Sequence, residues 1–450
     1  MVTEKHADVF PNSSNLYMKI KAKINSILSS DLNKKIINHS FWILLGNVIS
    51  KFILLIATIL MARYLGKEEY GQFGIIKSTI LMFAMFAGLE LGMTATKYIS
   101  QYKLVDKSKV EKIVGLSNLF AILISLLVSG LVYLYSKKIA NHIDAPSLYQ
   151  EIQISSFILF FSSLNGIQNG ILAGIEKFKE SSINNAVAGI LSSIGLVVAS
   201  KYFGLEMVIV AFGSNFVILF ILNFITLKKH FYSQFNISIR NKKNFEELEV
   251  LWKFSLPAIL AGLMVGPTTW YCNYLLVTSK NGYEHMATFD IANQWRNTIL
   301  FIPAALAQIA LPLMSASINN KEEYRIVFSK NLKINIYIGF ILVTVFIILS
   351  PIIVNLYGDK YRDTLIPIII MFITTGFITV NNVIGQAIAS QGKMWLGFYA
   401  NLMWAIILTV STHFLVEKEA LGAIGLSLAY LISYFCHAII QFLYIRRYLN

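Results

Sequence analysis

Residues 39–75 read HSFWILLGNVISKFILLIATILMARYLGKEEYGQFGI, an apolar segment, a short polar loop and the start of a second apolar segment. Between Ser40 and Met61 the only ionisable side chain is that of Lys51. A bilayer about 30 Å thick takes roughly 20 helical residues, so the first segment is long enough to cross one. A membrane helix turns a polar face towards a cavity or other helices. The polar residues here recur at spacings of seven, four and seven and share one such face: Ser40, Asn47, Lys51 and Thr58.

The composition is that of a membrane protein. Of the 450 residues, 56% are hydrophobic and only 14% are charged, and the mean hydropathy is +0.62. Charge this sparse cannot cover the surface of a soluble protein of this size, whereas lipid accepts apolar side chains. The formal net charge of +14 lies mostly between the apolar segments, which indicates positive cytoplasmic loops rather than nucleic-acid binding.

We predict an all-α integral membrane protein with twelve transmembrane helices. Lys and Arg concentrate in the segments that are cytoplasmic if the N-terminus is inside, so both termini are expected in the cytoplasm. No cleavable signal peptide is expected, because the first apolar segment follows about 35 polar and basic residues. The expected spans are 40–61, 73–99, 114–135, 152–173, 183–202, 207–227, 252–276, 291–316, 332–356, 365–389, 396–416 and 421–444.

The chain divides into two similar halves. An offset of 216 positions places Gly66 on Gly282, Asn165 on Asn381 and similar pairs of Gly, Asn and charged residues on one another. We therefore expect two parallel-repeat six-helix bundles, with a substrate cavity between them. The predicted organisation is a basic N-terminal tail (1–35), a first bundle (36–229), a cytoplasmic linker (230–249) and a second bundle (250–450).

Two smaller features have simple interpretations. In the tail, apolar residues at helical spacing alternate with lysines, which is typical either of a basic amphipathic helix on the membrane surface or of a partly ordered tail.

Cys272 and Cys436 lie in apolar segments without a CxxC motif. We interpret both cysteines as buried small hydrophobic residues.

With the loop ARYLGKEEYGQFG and the repeat, the chain resembles the Wzx-like polysaccharide and O-antigen repeat-unit flippases of the MOP superfamily. The resemblance covers about residues 36–447 and is strongest at residues 63–71 and 92–100, where Lys97 stands at a position that often carries Arg in this family. It implies a MOP/MATE-like fold with a central cavity in a bacterial inner membrane. It also implies alternating access that moves a polyprenyl-(pyro)phosphate-linked oligosaccharide from the cytoplasmic to the outer leaflet.

Charged residues inside the expected spans are candidates for contact with such an anionic lipid. The cations are Lys51, Lys77 and Arg296, and the acids are Glu90 and Asp290. We expect Arg296 to bind phosphate oxygens in pairs, and Lys77 to reach back to water. We also favour the face of Glu90, rather than that of Lys77, for the cavity. The alternative is that the cations pair with the acids or reach the interface.

Neutral amides would suit a glycan, because they donate and accept hydrogen bonds without adding charge. The candidates are Asn47, Asn293, Asn297 and the repeat-related pair Asn165 and Asn381. Hydrogen bonding between packed helices is an equally good interpretation of each amide alone.

The seventh expected span contains Gly262, Gly266 and Pro267, which indicates either a hinge for alternating access or a static kink. No metal-spaced histidine cluster and no cofactor motif is present, and coupling to H⁺ or Na⁺ stays open.

Two other functions remain as alternatives. A cation-coupled multidrug exporter of the same superfamily would need acidic groups in an apolar cavity. A membrane polymerase or ligase of lipid-linked sugars would need a large outer loop or a carboxylate pair, so an enzyme is not expected. The expected partners are the lipid-linked oligosaccharide, membrane lipids and polysaccharide-assembly proteins, and not nucleic acid.

Overall fold

The computed structural model describes residues 31–88, 91–143, 145–250, 264–301, 303, 314, 320–391 and 394–449, with side chains from residue 48 onwards. All the regular structure in these ranges is helical. The α-helices are α1 (Asp31–Gly88), α2 (Leu91–Tyr102), α3 (Lys107–Leu134), α4 (Ser136–His142), α5 (Tyr149–Gly174), α6 (Phe178–Tyr202), α7 (Leu205–His230), α8 (Leu248–Val250), α9 (Val265–Val277), α10 (Gly282–Ile299), α11 (Lys321–Asn355), α12 (Leu365–Ser390), α13 (Met394–Thr412) and α14 (Gly422–Leu449). Short 3₁₀ helices cover Pro146–Leu148, Lys242–Glu247 and Asp359–Thr364, and a π-helical turn covers His413–Lys418.

Within the described ranges, nine helices are long and apolar enough to cross a membrane. The first of them, α1, contains the expected span 40–61 and most of the expected span 73–99, and it departs from helical geometry between them, at Gly66 (φ 77°, ψ −179°). The predicted membrane class is confirmed, but the count of twelve spans stays a prediction. Expected spans 252–276 and 291–316 lie partly outside the described residues. The N-terminal amphipathic segment, Glu90 and Gly262 also lie outside them.

Helices α1–α7 form a first group and α9–α14 a second. The segment expected to link them, residues 230–249, is packed against the first group. Phe231 and Phe235 are buried with ring centroids 4.7 Å apart. The Lys112 ammonium contacts the Glu246 carboxylate at 2.5 Å, and this contact holds the pKa of Glu246 below its usual range. The linker therefore packs against the N-terminal part of α3.

The two groups meet near Gly66, at what we call the Gly66 end of the bundle. The Lys67 ammonium lies 2.5 Å from the Asp363 carboxylate, and the Tyr361 hydroxyl donates to the Ala62 carbonyl at 2.9 Å. The backbones also touch, because a Cβ added to Gly71 would lie 1.8 Å from the Tyr283 carbonyl oxygen. These contacts place α10 of the second group beside α1 of the first, and the candidate site lies between these two helices.

Gly66 is expected to resist substitution for a conformational reason. Its φ of 77° with ψ of −179° lies in a region that only glycine adopts readily, although no atom lies within 4 Å of a Cβ added there. Gly66→Ala should therefore lower stability by about 1–3 kcal/mol, read as a lower midpoint of thermal unfolding in detergent. Gly130→Ala, which also has open space around its Cβ but lies inside α3, is the control and should unfold at or above the wild-type midpoint. Equal midpoints for Gly66→Ala and wild type would contradict the strain argument.

Candidate substrate cavity

A cavity of about 460 Å³ lies between α10 and helices α1, α6 and α7. We call it the Lys51 cavity. Its walls carry two lysines, one carboxylate, several hydroxyls and amides, and three phenylalanine rings. It is lined by Ser50, Lys51, Leu54, Thr58, Phe73, Lys77, Leu81, Gly189, Ser192, Leu196, Phe212, Asn215, Phe216, Asp290, Asn293, Gln294, Asn297 and Thr298.

Lys51 is the cation that the cavity leaves available. Its side chain is exposed to the cavity, and its ammonium lies 4.9 Å from the centroid of the Phe301 ring. It makes no hydrogen bond or ion pair with any side chain that the structure describes. A cation held over an aromatic face, without a carboxylate beside it, can bind an incoming anion.

Lys77 points into the cavity and is bound to Asp290. Its ammonium lies 2.7 Å from each carboxylate oxygen, and the Tyr70 hydroxyl is 3.4 Å from the second of these. Asp290 is only 5% exposed. Lys77 therefore does not reach back to water but pairs with an acid, which is the alternative that the sequence left open, because a buried carboxylate on α10 holds its ammonium. Lys77 and Leu81 line the cavity, but Glu90 lies outside the described residues, so the preference for its face stays a prediction.

Arg296 is on α10 but faces away from the cavity. Its guanidinium carbon lies 5.0 Å from the Tyr430 ring centroid and 5.9 Å from that of Tyr434, and the residue is 8% exposed. The expected bidentate phosphate contact by Arg296 therefore has no support in this geometry. Asp290, Asn293 and Asn297 line the cavity as expected, because spacings of three and four place them on one face of the helix, next to the side of Arg296.

Asn165 and Asn381 lie outside the cavity and join helices instead. Asn165 donates to the Phe216 carbonyl at 2.7 Å, and Asn381 donates to the Tyr434 carbonyl at 3.2 Å. Both amides are buried. Of the two interpretations left open for these amides, this geometry supports hydrogen bonding between packed helices.

Helices α6 and α7 contribute polar residues that we did not single out in the sequence. Asn215 donates to the Ser192 hydroxyl at 3.0 Å across these two helices. Gln294 of α10 donates to the Thr58 hydroxyl at 2.6 Å, which ties the second group to the first. Polar residues at helical spacing in α6 and α7 were the available signal, but similar residues occur on many packed faces of the chain.

The proposed hinge is described only in part. Pro267 lies in the first turn of α9, where a missing N–H is tolerated. A Cβ added to Gly266 would lie 2.5 Å from the Met85 sulfur, so this glycine permits close packing against α1. Gly262 and the side chain of Asn47 lie outside the described part of the chain. A hinge at this segment stays a prediction.

Residues 60–366, more than half of the chain, match the family described as "Polysaccharide biosynthesis protein". The chain belongs to this family. Over 425 residues it is 22% identical to a putative O-antigen transporter of Shigella flexneri, covering 91% of this chain and 98% of the relative. It is also 26% identical over 203 residues to the EPS I polysaccharide export inner membrane protein EpsE of Ralstonia nicotianae. That match covers 44% of this chain and less than half, 45%, of EpsE.

Solved structures show the same fold. An inward-facing multidrug resistance MATE family transporter of the MOP superfamily superposes with a TM-score of 0.73, covering 89% of this chain and 94% of the transporter at 16% identity. The lipid II flippase MurJ gives a TM-score of 0.74, also at 16% identity, and covers 89% of this chain and 87% of its own. The family member described here is therefore an all-helical membrane protein with a MATE/MurJ-like fold.

Removing one charge of the Lys77–Asp290 pair should lower the stability of the protein, whereas removing both charges should lower it much less. Lys77→Ala leaves the Asp290 carboxylate buried without its cation, which should cost about 3–5 kcal/mol and lower the thermal midpoint in detergent. Lys77→Met combined with Asp290→Leu removes both charges and should restore most of the loss.

The matched control for that experiment is Lys67→Ala. It removes another contact between the two groups, but Asp363 is half exposed, so the loss should be about 0–1 kcal/mol. A double variant of Lys77 and Asp290 that is less stable than Lys77→Ala alone would contradict the charge-compensation argument.

Proposed function

We propose that this protein is a flippase in the bacterial inner membrane that moves a polyprenyl-(pyro)phosphate-linked oligosaccharide from the cytoplasmic to the outer leaflet for surface polysaccharide synthesis. Membership of the polysaccharide biosynthesis family supports this assignment, as does the likeness to relatives named for O-antigen transport and polysaccharide export. The observation that carries the proposal is the uncompensated charge of Lys51 in a cavity that is otherwise neutral or internally paired.

The balance of charges in the Lys51 cavity favours an anion. Two lysines and one carboxylate line it within the described residues, and the carboxylate is bound by Lys77 at 2.7 Å through both oxygens. One positive charge is left over, on Lys51. A fixed cation stabilises a phosphate that has to leave water, and ammonium–phosphate contacts are strong because both partners are charged.

The same balance argues against a cation-coupled drug exporter. Such a protein would present a free carboxylate to a cationic drug or to its coupling ion, whereas Asp290 is 5% exposed and already paired. No second carboxylate lines the described part of the cavity. Catalysis on lipid-linked sugars would require a carboxylate pair for acid and base work, which this lining also lacks.

The remaining walls suit the glycan that follows the phosphate. Asn293 and Asn297 of α10 face Asn215 and Ser192 across the cavity, and such groups can donate to and accept from sugar hydroxyls. Phe73, Phe212 and Phe216 form one aromatic wall, with neighbouring ring centroids 5.6 and 5.7 Å apart. Neutral amides beside a single cation would tolerate several sugars while requiring the phosphate.

Alternating access would act through α10, which has two different faces. Towards the second group, Trp295 donates to the Tyr357 hydroxyl at 3.0 Å, and Phe289 packs on Tyr430. Towards the first group, its side-chain contacts beside the cavity are polar: Asp290 with Lys77, and Gln294 with Thr58. Since packed aromatic contacts separate less easily than a few polar ones, we infer that α10 moves with the second group.

With both termini cytoplasmic, the Gly66 end faces outwards. The contacts there would then close the cavity to the outside, and loading would occur from the cytoplasm. Transport would require the cavity's polar contacts and the Lys67–Asp363 pair to separate together.

Lys51 provides the test. Lys51→Ala should reduce surface polysaccharide at least tenfold at matched expression, since losing a charge-assisted contact costs about 1.5–3 kcal/mol. Lys51→Arg should retain most activity because the charge stays in place. The controls are Lys201→Ala, a lysine near the Gly66 end that does not line the cavity, and the thermal midpoint of each variant.

The readout is complementation of a strain lacking this protein, measured as surface polysaccharide, followed by translocation of a fluorescent lipid-linked oligosaccharide in proteoliposomes. Wild-type transport by Lys51→Ala would refute the phosphate contact. Drug efflux without glycan transport would favour the exporter instead.

A further inference from the structure

A second void of about 440 Å³ lies next to the Lys51 cavity along the chain. It is lined by Gly88 of α1, by Gly92 and Thr96 of α2, and by Ser163, Gly166 and Gly170 of α5. We call it the Gly88 groove. No charged residue lines it among the described residues.

Two of its glycines hold the helices close together. A Cβ added to Gly92 would lie 2.3 Å from the Gly166 carbonyl oxygen, and one added to Gly170 would lie 2.1 Å from the Gly92 oxygen. The Thr96 hydroxyl reinforces this approach by donating to the Gly170 carbonyl at 3.0 Å. These glycines therefore have a packing role.

The other two glycines have no such role. Around a Cβ added to Gly88 or to Gly166, no atom lies within 4 Å, and neither residue has a positive φ. Glycine inside a helix costs roughly 0.5–1 kcal/mol relative to alanine. Neither close packing nor backbone geometry requires glycine at these positions, and what it provides is empty space.

Several polar groups that line the groove are already engaged in hydrogen bonds between helices. The Ser163 hydroxyl donates to the Ala87 carbonyl at 2.8 Å, and the Thr96 hydroxyl to Gly170. The Asn169 amide oxygen accepts from Asn223 at 3.0 Å. Met85 and Met93 complete the lining, and their flexible thioether side chains adapt to an irregular apolar ligand. Sugar hydroxyls would find few free partners here.

The groove continues one face of α1 from the cavity. Phe73, Lys77 and Leu81 line the Lys51 cavity, and Met85 and Gly88 line the groove. Spacings of three and four residues keep all five on one side of the helix. From Lys77 to Gly88 the helix rises about 16 Å, which is a few isoprene units. An extended chain attached to a phosphate near the lysines would reach the groove.

We propose that the Gly88 groove binds the first isoprene units of the substrate's polyprenyl chain while its phosphate is in the Lys51 cavity. This inference rests on the proposed function and names the part of the substrate that the second void takes. The groove thereby keeps the hydrocarbon next to the phosphate out of the polar cavity.

Photolabelling of the full-length protein in nanodiscs tests the placement directly. The first probe is a long-chain polyprenyl pyrophosphate with a diazirine on an isoprene unit close to the phosphate. The second is phosphatidylglycerol with a diazirine on its acyl chain. We expect the prenyl probe to label the peptides that contain Met85 and Met93, and unlabelled polyprenyl pyrophosphate to compete. Equal labelling by phosphatidylglycerol, or no labelling of these peptides by the prenyl probe, would overturn the proposal.

Filling the groove tests its contribution to binding. Gly88→Leu and Gly166→Leu should weaken binding of the long-chain pyrophosphate at least tenfold, while binding of geranyl pyrophosphate, which is too short to fill the groove, stays within twofold. Gly130→Leu is the matched control, because its Cβ also has open space but the residue lines neither void, and it should match wild type. Equal weakening for both chain lengths, or for neither, would overturn the proposal. Wild-type protein that binds neither pyrophosphate would refute the proposed function itself, and the groove assignment with it.

Discussion

The Asp290 carboxylate is buried where the two groups of helices meet, and a charge in that position has to be compensated. An unpaired ion in a low-dielectric interior costs several kcal/mol, so Asp290 needs a cation within hydrogen-bonding distance. Lys77 supplies it from the other group, with 2.7 Å to each oxygen. This contact sets the register between α1 and α10. It also removes both charges from those available to a ligand, which leaves Lys51 to determine the electrostatics of the cavity.

The different contacts made by two faces of α10 follow from that constraint. The face with Asp290, Asn293 and Asn297 is committed to the cavity and the first group. The neighbouring face must then be compatible with the second group, and there Arg296 lies over Tyr430 and Tyr434. A guanidinium is weakly hydrated and stacks on aromatic faces, which is why Arg is suited to this position and Lys is not. The helix thus has a polar, separable side and an aromatic, firmly attached side.

Sequence reasoning predicted the membrane class and the polar face that carries Lys51, because these depend on the composition and periodicity of single helices, and it predicted the family from a resemblance in short motifs. It also placed Asp290, Asn293 and Asn297 on one face of α10. It could not choose between the alternatives for Lys77 and it predicted a phosphate contact of Arg296 that the geometry does not support, since both roles depend on which helix lies beside them, and periodicity carries no information about a neighbour 213 residues away. For Asn165 and Asn381 the sequence pattern fits both contact with a glycan and hydrogen bonding between helices. Only the distances to the Phe216 and Tyr434 carbonyls distinguish the two interpretations.

The two voids along α1 provide the two environments that an amphiphilic substrate needs, one polar and one apolar. An amphiphile that crosses a bilayer head first has to keep a charged phosphate solvated and its hydrocarbon chain away from that polar environment, and a single uniform cavity cannot do both. Here one helix face presents lysine and aromatic side chains over its first part and then exposed glycine and methionine over the next. Because Lys77 and Gly88 belong to the same helical segment, the helical rise fixes the distance between this wall of the cavity and the groove, independently of how the two groups move. The first group would then hold the lipid part of the substrate in a constant geometry, while α10, attached to the second group, opens and closes the path for the glycan.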